Sequence, residues 1–196
     1  MNGWLQLPAF LFFVFAAACS TPHPDPAPIR RGQAIVVLPP NNQTGSPLFV
    51  SGAPSLDRFA PEAEPVTVSD LLAGEARTQL AERGFRVAPA GAVNAAAEGH
   101  VPRTPHAAAE IVVHGKLDGL ALYLEIIHWE PDDPGHAKYV IVGLSASLVD
   151  PPSRNVVWDF YRQPEAVATP GELTLKDAYE AAARKVVAQM LEGFNP

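Results

Sequence analysis

The sequence predicts an α/β fold of α+β character: a mixed β-sheet with an early βαβ unit, an antiparallel meander, and helices packed on the sheet. Three observations predict it. Ala34-Ile35-Val36-Val37-Leu38 is continuously apolar and stopped by Pro39-Pro40, as for a strand buried on both faces. Val68, Leu72, Ala76 and Leu80 recur every fourth residue, the stripe of a helix with one buried face. Leu120–Trp129 and Lys138–Val149 alternate with period two, and a third short run follows after a Pro-set turn, which is the pattern of neighbouring antiparallel strands.

Taken in order, the first nineteen residues carry an address. Leu5–Ala18 is almost wholly apolar but short of the roughly 20 residues that span a bilayer. It fits the hydrophobic region of a secretory signal peptide over residues 1–18. Cys19, the only cysteine, stands directly after Ala16-Ala17-Ala18. Small residues followed by Cys resemble the lipobox of bacterial lipoproteins. That resemblance implies cleavage after Ala18 and acylation of Cys19, with membrane lipid as the first partner. Two features depart from the pattern: residues 1–6 hold no Lys or Arg, and Ala16 stands where Leu is commoner. The alternative is an ordinary secretory peptide cut near Ala18, leaving a free thiol. Ser20 rather than Asp after the cysteine favours the outer membrane, by resemblance to the sorting rule of enteric bacteria.

Residues 19–33 read as the lipidated end and a tether. STPHPDPAPIRR alternates proline, excludes helix and favours an extended form. At about 3.1 Å per residue it would reach roughly 37 Å. Residues 34–196 are expected to form one globular domain, a length able to bury a real core.

Within that domain, 34–38 is the first strand, and 41–65, rich in Pro, Gly, Ser and Asn, reads as a long loop. Loops of that length are often functional, so the whole of 41–65, Asn41 and Asn42 included, is a candidate partner surface, the alternative being a loop that is simply mobile. Val66–Arg83 reads as a helix capped by Thr67 or Ser69, with Asp70 three after Thr67, and ended by Gly84. Phe85–Ala88 reads as a second strand. Residues 90–109 suggest one or two short helices, and 107–116 is ambiguous between helix and strand. Leu120, Leu122, Leu124 and Ile126 should face one side and Ala121, Tyr123, Glu125 and Ile127 the other. Asn155–Tyr161 completes the meander. Thr174–Glu192 reads as a last helix with a stripe of Leu175, Tyr179, Ala182, Val186 and Met190, stopped by Gly193.

Three segments resemble a group of bacterial envelope lipoproteins. They are Ile35–Asn42 (IVVLPPNN), Leu80–Pro89 (LAERGFRVAP) and Ala146–Trp158 (ASLVDPPSRNVVW). The group includes the amino-terminal domain of TolB, the curli-secretion lipoprotein and the lipoprotein activators of penicillin-binding proteins. Within it the segments are most similar to a family of outer-membrane lipoproteins. The hairpin turn of that family carries Gly where this chain has Arg154. The resemblance implies helix for 107–116, a lipid-anchored envelope protein acting through contacts, and envelope proteins as partners. It brings no catalytic residues and no cofactor. An exposed edge strand would permit homo-oligomers, as in curli-type lipoproteins.

Composition narrows the function classes. The chain has 196 residues, 21 prolines and a formal net charge of −7, which argues against broad nucleic-acid binding. One cysteine excludes a disulfide framework and multi-thiolate zinc. The richest polar stretch, His128–His136 (HWEPDDPGH), gathers two imidazoles and three carboxylates. His128 and His136 are thus candidate metal ligands, although the bland reading is a solvated loop between strands. His100, His106 and His114 read as surface or cap residues. No nucleophile elbow or P-loop is present. Trp129 is a candidate contact aromatic if exposed and a core residue if not. Together with the resemblance, these observations lead to the expectation of a non-catalytic binding and assembly module anchored on the periplasmic face of the outer membrane. The alternatives are a lipid- or small-molecule-binding part of a transport system and, third, a metal-dependent hydrolase.

Overall fold

The computed structural model describes residues 29–50, 66–134, 137–171 and 174–194. The expected signal peptide, Ala18, Cys19, most of the tether, residues 51–65 of the long loop, and His136 lie outside the described residues. Among the described residues no helix is long and apolar enough to cross a membrane.

Strand β1 (Ala34–Val37) is buried along its whole length, as its continuous apolarity requires. After Pro39-Pro40 the chain keeps its course and forms β2 (Asn41–Asn42), a two-residue strand inside the segment expected to be loop. The reason is pairing. The Leu38 amide donates to Leu122 O and the Gln43 amide to Ile126 O, so one long neighbour holds the chain on both sides of the prolines.

Helix α1 (Val68–Glu82) begins at a complete capping box: Asp70 N–H donates to Thr67 Oγ1 and the Thr67 amide to Asp70 Oδ2. Val68, Leu72, Ala76 and Leu80 are all fully buried. Gly84, at φ +85°, turns the chain into β3 (Arg86–Val87). Helices α2 (Ala90–Ala97) and α3 (Pro105–His114) follow; Thr104 caps α3, and the ambiguous 107–116 run is mostly helical.

Strands β4 (Leu120–Pro131), β5 (Tyr139–Asp150) and β6 (Asn155–Ala168) form the antiparallel meander, and α4 (Leu175–Glu192) closes the chain with Thr174 as its cap. β6 runs well beyond the expected Tyr161. Pro164 is accommodated where the β5–β6 register slips opposite Gly143. A Cβ on Gly143 would lie 3.1 Å from the Pro164 ring and 3.2 Å from His128 Cβ, so glycine makes room for both.

The sheet order is β3-β1-β4-β5-β6, with β2 also on β4. β1 is parallel to β3 and β4, and β5 is antiparallel to both its neighbours. This is the predicted mixed sheet: a βαβ unit, a meander, and helices on both faces. One face carries α1 and α4 over the larger core, including Ile35, Leu122, Leu124, Leu144, Leu148 and Met190. Gln79 ties the two helices together, its Nε2 donating to Arg184 O at 2.9 Å. The other face carries α2 on β1 and α3 on β4 and β5, over a smaller core of Val36, Leu38, Ala121, Tyr123 and Val149.

Candidate functional surface

The second face is only partly covered. Register carries it outward from the small core: Ala121 lies opposite Val149, Tyr123 opposite Ser147, and Glu125 opposite Ser145. Ser145 in turn lies opposite Tyr161, and Tyr139 opposite Ala168. Beyond Tyr123 no described helix covers this face. Tyr161 is 62% exposed and Tyr139 41%, and Val156, opposite Val149, is exposed as well. Two of the seven exposed large apolar side chains among the described residues, Tyr139 and Tyr161, therefore share the open part of this face, and Val156 is exposed beside its covered end.

At the rim of the α3 layer lies a polar network. Tyr123 Oη donates to Glu125 Oε1 at 2.7 Å. Asn41 Nδ2 donates to Tyr123 Oη at 3.2 Å and to Glu125 Oε1 at 3.4 Å, and Gln43 Nε2 donates to the same oxygen. Burial, followed by the hydrogen bond to Glu125, pushes the Tyr123 phenol well above the ordinary tyrosine range. The network holds the Glu125 carboxylate in place at the edge of the open face. Asn42 turns the other way: Nδ2 donates to Ser46 O and Oδ1 accepts from the Thr44 amide, closing the loop after β2.

Next to it, an open groove of about 1090 Å³ runs between Pro39–Asn42, the start of α1 and the α2–α3 connection, with His100, Val101 and Arg103 on its far wall. Below it, Arg77 Nη2 donates to Val37 O at 3.1 Å, closing the end of β1. Burial lowers the Arg77 guanidinium, with Asp70 opposing.

The structure thus brings Asn41 into one wall shared by the groove and the open face, with Asn42 on the groove. Trp129 is elsewhere. It is 4% exposed, in the main core, and meets Tyr179 edge-on at 5.7 Å. Its side is set by the register shift between Ile126 and His128, which moves Trp129 to the core face beside Val142. His128 pairs with Glu130 at 3.2 Å. Among the described residues no group of three or more His, Cys, Asp or Glu side chains could hold a metal ion. His106 and His114 are surface residues on α3, bonded to Glu110. Sequence reading misses Arg103, Gln43 and Tyr123. Gln43 and Tyr123 act through contacts distant in sequence, Arg103 only lines the groove, and no local motif marks them.

The hairpin turn carries the expected departure from glycine. Arg154 adopts φ +59°, and its guanidinium reaches α3, 3.0 Å from His106 Nε2 and 3.5 Å from Glu110 Oε1. A side chain in this left-handed position is strained, but here it links the hairpin to the helix layer.

No protein-family model matches the chain, and no curated protein matches it significantly. Solved structures do. A PelC variant, a dodecamer from Paraburkholderia phytofirmans, superposes with a TM-score of 0.50 at 16% identity, over 85% of this chain and 91% of that one. Lipoprotein GNA1162 from Neisseria meningitidis gives 0.44 at 17% identity, over 82% and 99%. LpoB from E. coli gives 0.42 at 17%, over 86% and 81%. Of these structures, the one from Neisseria meningitidis is itself titled a lipoprotein. At these identities the likeness to PelC is one of fold.

Proposed function

We propose that the protein is a lipid-anchored envelope lipoprotein, tethered by acylated Cys19 to the outer membrane and exposed to the periplasm. It acts as a non-catalytic binding and assembly module for other envelope proteins. The observation that carries this reading is the half-covered sheet. One face is sealed by α1 and α4, while the other leaves tyrosines, serines and a fixed carboxylate open beside a groove. Such a face suits side-chain docking, and the edge of β6, unpaired among the described residues, suits strand addition. A PelC structure titled as a dodecamer supports self-association as part of the role. Anchoring would confine the domain to the membrane surface and raise its effective concentration for neighbours.

The groove is open rather than enclosed, and its prolines and valines are interspersed with amide, hydroxyl, carboxylate, imidazole and guanidinium groups. That fits a polar protein segment better than an acyl chain, so protein contact ranks above lipid carriage.

Crosslinking with mass spectrometry in the native envelope, comparing wild type with Cys19→Ala, tests the reading. Intact-mass analysis of the same samples reports the acyl groups. Acylated wild type should capture a defined protein set that the variant loses. An unmodified Cys19 with no captured protein would overturn it.

A further inference from the structure

β6 is the outer strand of the sheet, and among the described residues nothing pairs with its free edge. Two register irregularities bracket a regular stretch on it. One lies between the Leu148 and Val149 pairs, the other between the Val142 and Leu144 pairs, leaving Trp158–Arg162 evenly matched to β5. Pro164 lies just beyond. Bulges and proline on an edge strand block open-ended pairing, so this edge is left available over five residues only.

The side chains of that stretch sort by face. Trp158, Phe160 and Arg162 lie opposite core residues Leu148, Ala146 and Leu144; Asp159 and Tyr161 lie opposite Ser147 and Ser145 on the open face. Trp158 and Phe160 stack with centroids 6.3 Å apart and are only partly buried, although they are apolar and on the helix-covered side. Arg162 is held there, Nη1 donating to Gln189 Oε1 at 2.9 Å and Nη2 lying 3.5 Å from Glu165 Oε2, while its buried Nε has no partner.

We infer that this stretch pairs antiparallel with the same stretch of a second copy, about a two-fold axis perpendicular to the sheet. Such an axis keeps the open faces of both copies on one side, so paired residues must share a face. Centring the pair on Phe160 satisfies this over all five residues. Trp158 then lies opposite Arg162 of the partner subunit, a ring against a guanidinium. Asp159 lies opposite Tyr161 of the partner subunit, an acceptor against a hydroxyl donor. Phe160 meets its own copy. Each pair is repeated by the symmetry, as an isologous contact requires. The neighbouring registers fail. Moving the centre to Asp159 sets two carboxylates against each other. Moving it to Tyr161 sets Trp158 opposite Pro164, which has no N–H to give. The length, the faces and the charge pattern of this edge therefore fit one partner, a second copy in one register.

This inference rests on the surface-acting reading above, but its test is separate, because it needs only the protein itself. Sedimentation velocity is run on the full chain in a non-ionic detergent. The wild type should sediment as a dimer. Tyr161→Asp places Asp opposite Asp159 and should give a folded monomer with an unchanged far-ultraviolet circular dichroism spectrum, since Tyr161 is mostly exposed, and a melting curve that no longer depends on protein concentration. Adding Asp159→Lys to that variant should restore the dimer. In the wild type alone, hydrogen exchange within Trp158–Arg162 should slow as concentration rises. A monomeric wild type, a dimer that survives Tyr161→Asp, a double variant that stays monomeric, or exchange independent of concentration would each overturn the pairing. Loss of envelope partners without loss of the dimer would instead count against the proposed function alone.

Discussion

Tyr123 shows how a single residue joins core and surface. Its ring fills the smaller core at 2% exposure, while its hydroxyl serves Glu125 at the rim. Its raised pKa has a consequence for stability. The folded state holds the phenolic proton more tightly than the unfolded chain, so the contribution is complete below the unfolded value near 10 and is lost as pH rises above it. Urea titrations between neutral and alkaline pH should show stability falling past that value, with a shallower fall in Tyr123→Phe. Tyr179, also raised by burial, should account for part of the remaining slope. At neutral pH, Tyr123→Phe should cost about 1 kcal/mol for the lost hydrogen bond.

Two backbone positions give sharper expectations. Gly119 sits at φ +127°, and a Cβ there would lie 2.4 Å from Ala34 O. Because the obstacle is the backbone of β1, Gly119→Ala should cost about 3 kcal/mol or more, read as a lowered midpoint in chemical denaturation. Arg154 is the milder case. Arg154→Ala keeps the left-handed strain and removes the link to α3, so it should cost about 0.5–1 kcal/mol. Arg154→Gly removes strain and link together and should cost less in the same assay.

At the scale of elements, what the sequence reveals depends on how local the cause is. The caps at Thr67 and Thr174 are legible because donor and acceptor stand three residues apart. The stripes of α1 and α4 and the two faces of β5 are legible because burial follows their own periods. In that register Leu72→Ala, in the fully buried stripe, should cost about 2–5 kcal/mol; thermal melting would check it. Three features escape because their causes lie on another strand. β2 is two asparagines made into a strand by β4. The far half of β6 continues past Pro164 because Gly143 gives it space. Trp129 reaches the core because of a one-residue slip near Ile127, and period-two counting carried through that slip assigns the wrong face.

At the scale of the molecule, the half-covered sheet arises from unequal helix cover. α1 and α4 are long, packed on each other, and span the sheet from β1 to β6. α2 and α3 are short; α2 packs on β1, and α3 packs on β4 and β5 over the small core of Ala121, Tyr123 and Val149. The strands outrun their cover, and the uncovered part carries tyrosines, serines and acidic groups where a sealed core would carry aliphatics. The mixed sheet was readable from periodicity. The open face was not, because it depends on where helices stop in space. Of the candidate residues read in sequence, Asn41 and Asn42 border that region, Trp129 is in the core, and His128 is paired with Glu130.

The most direct test of a surface-acting envelope module is site-specific photo-crosslinking in living cells. A photoreactive side chain would replace Tyr139 on the open face or, separately, Lys176 on the exposed side of α4. The account predicts a defined crosslinked envelope protein from position 139 and none from position 176. The same products from both positions, or none from position 139 in a protein that is correctly anchored, would contradict it.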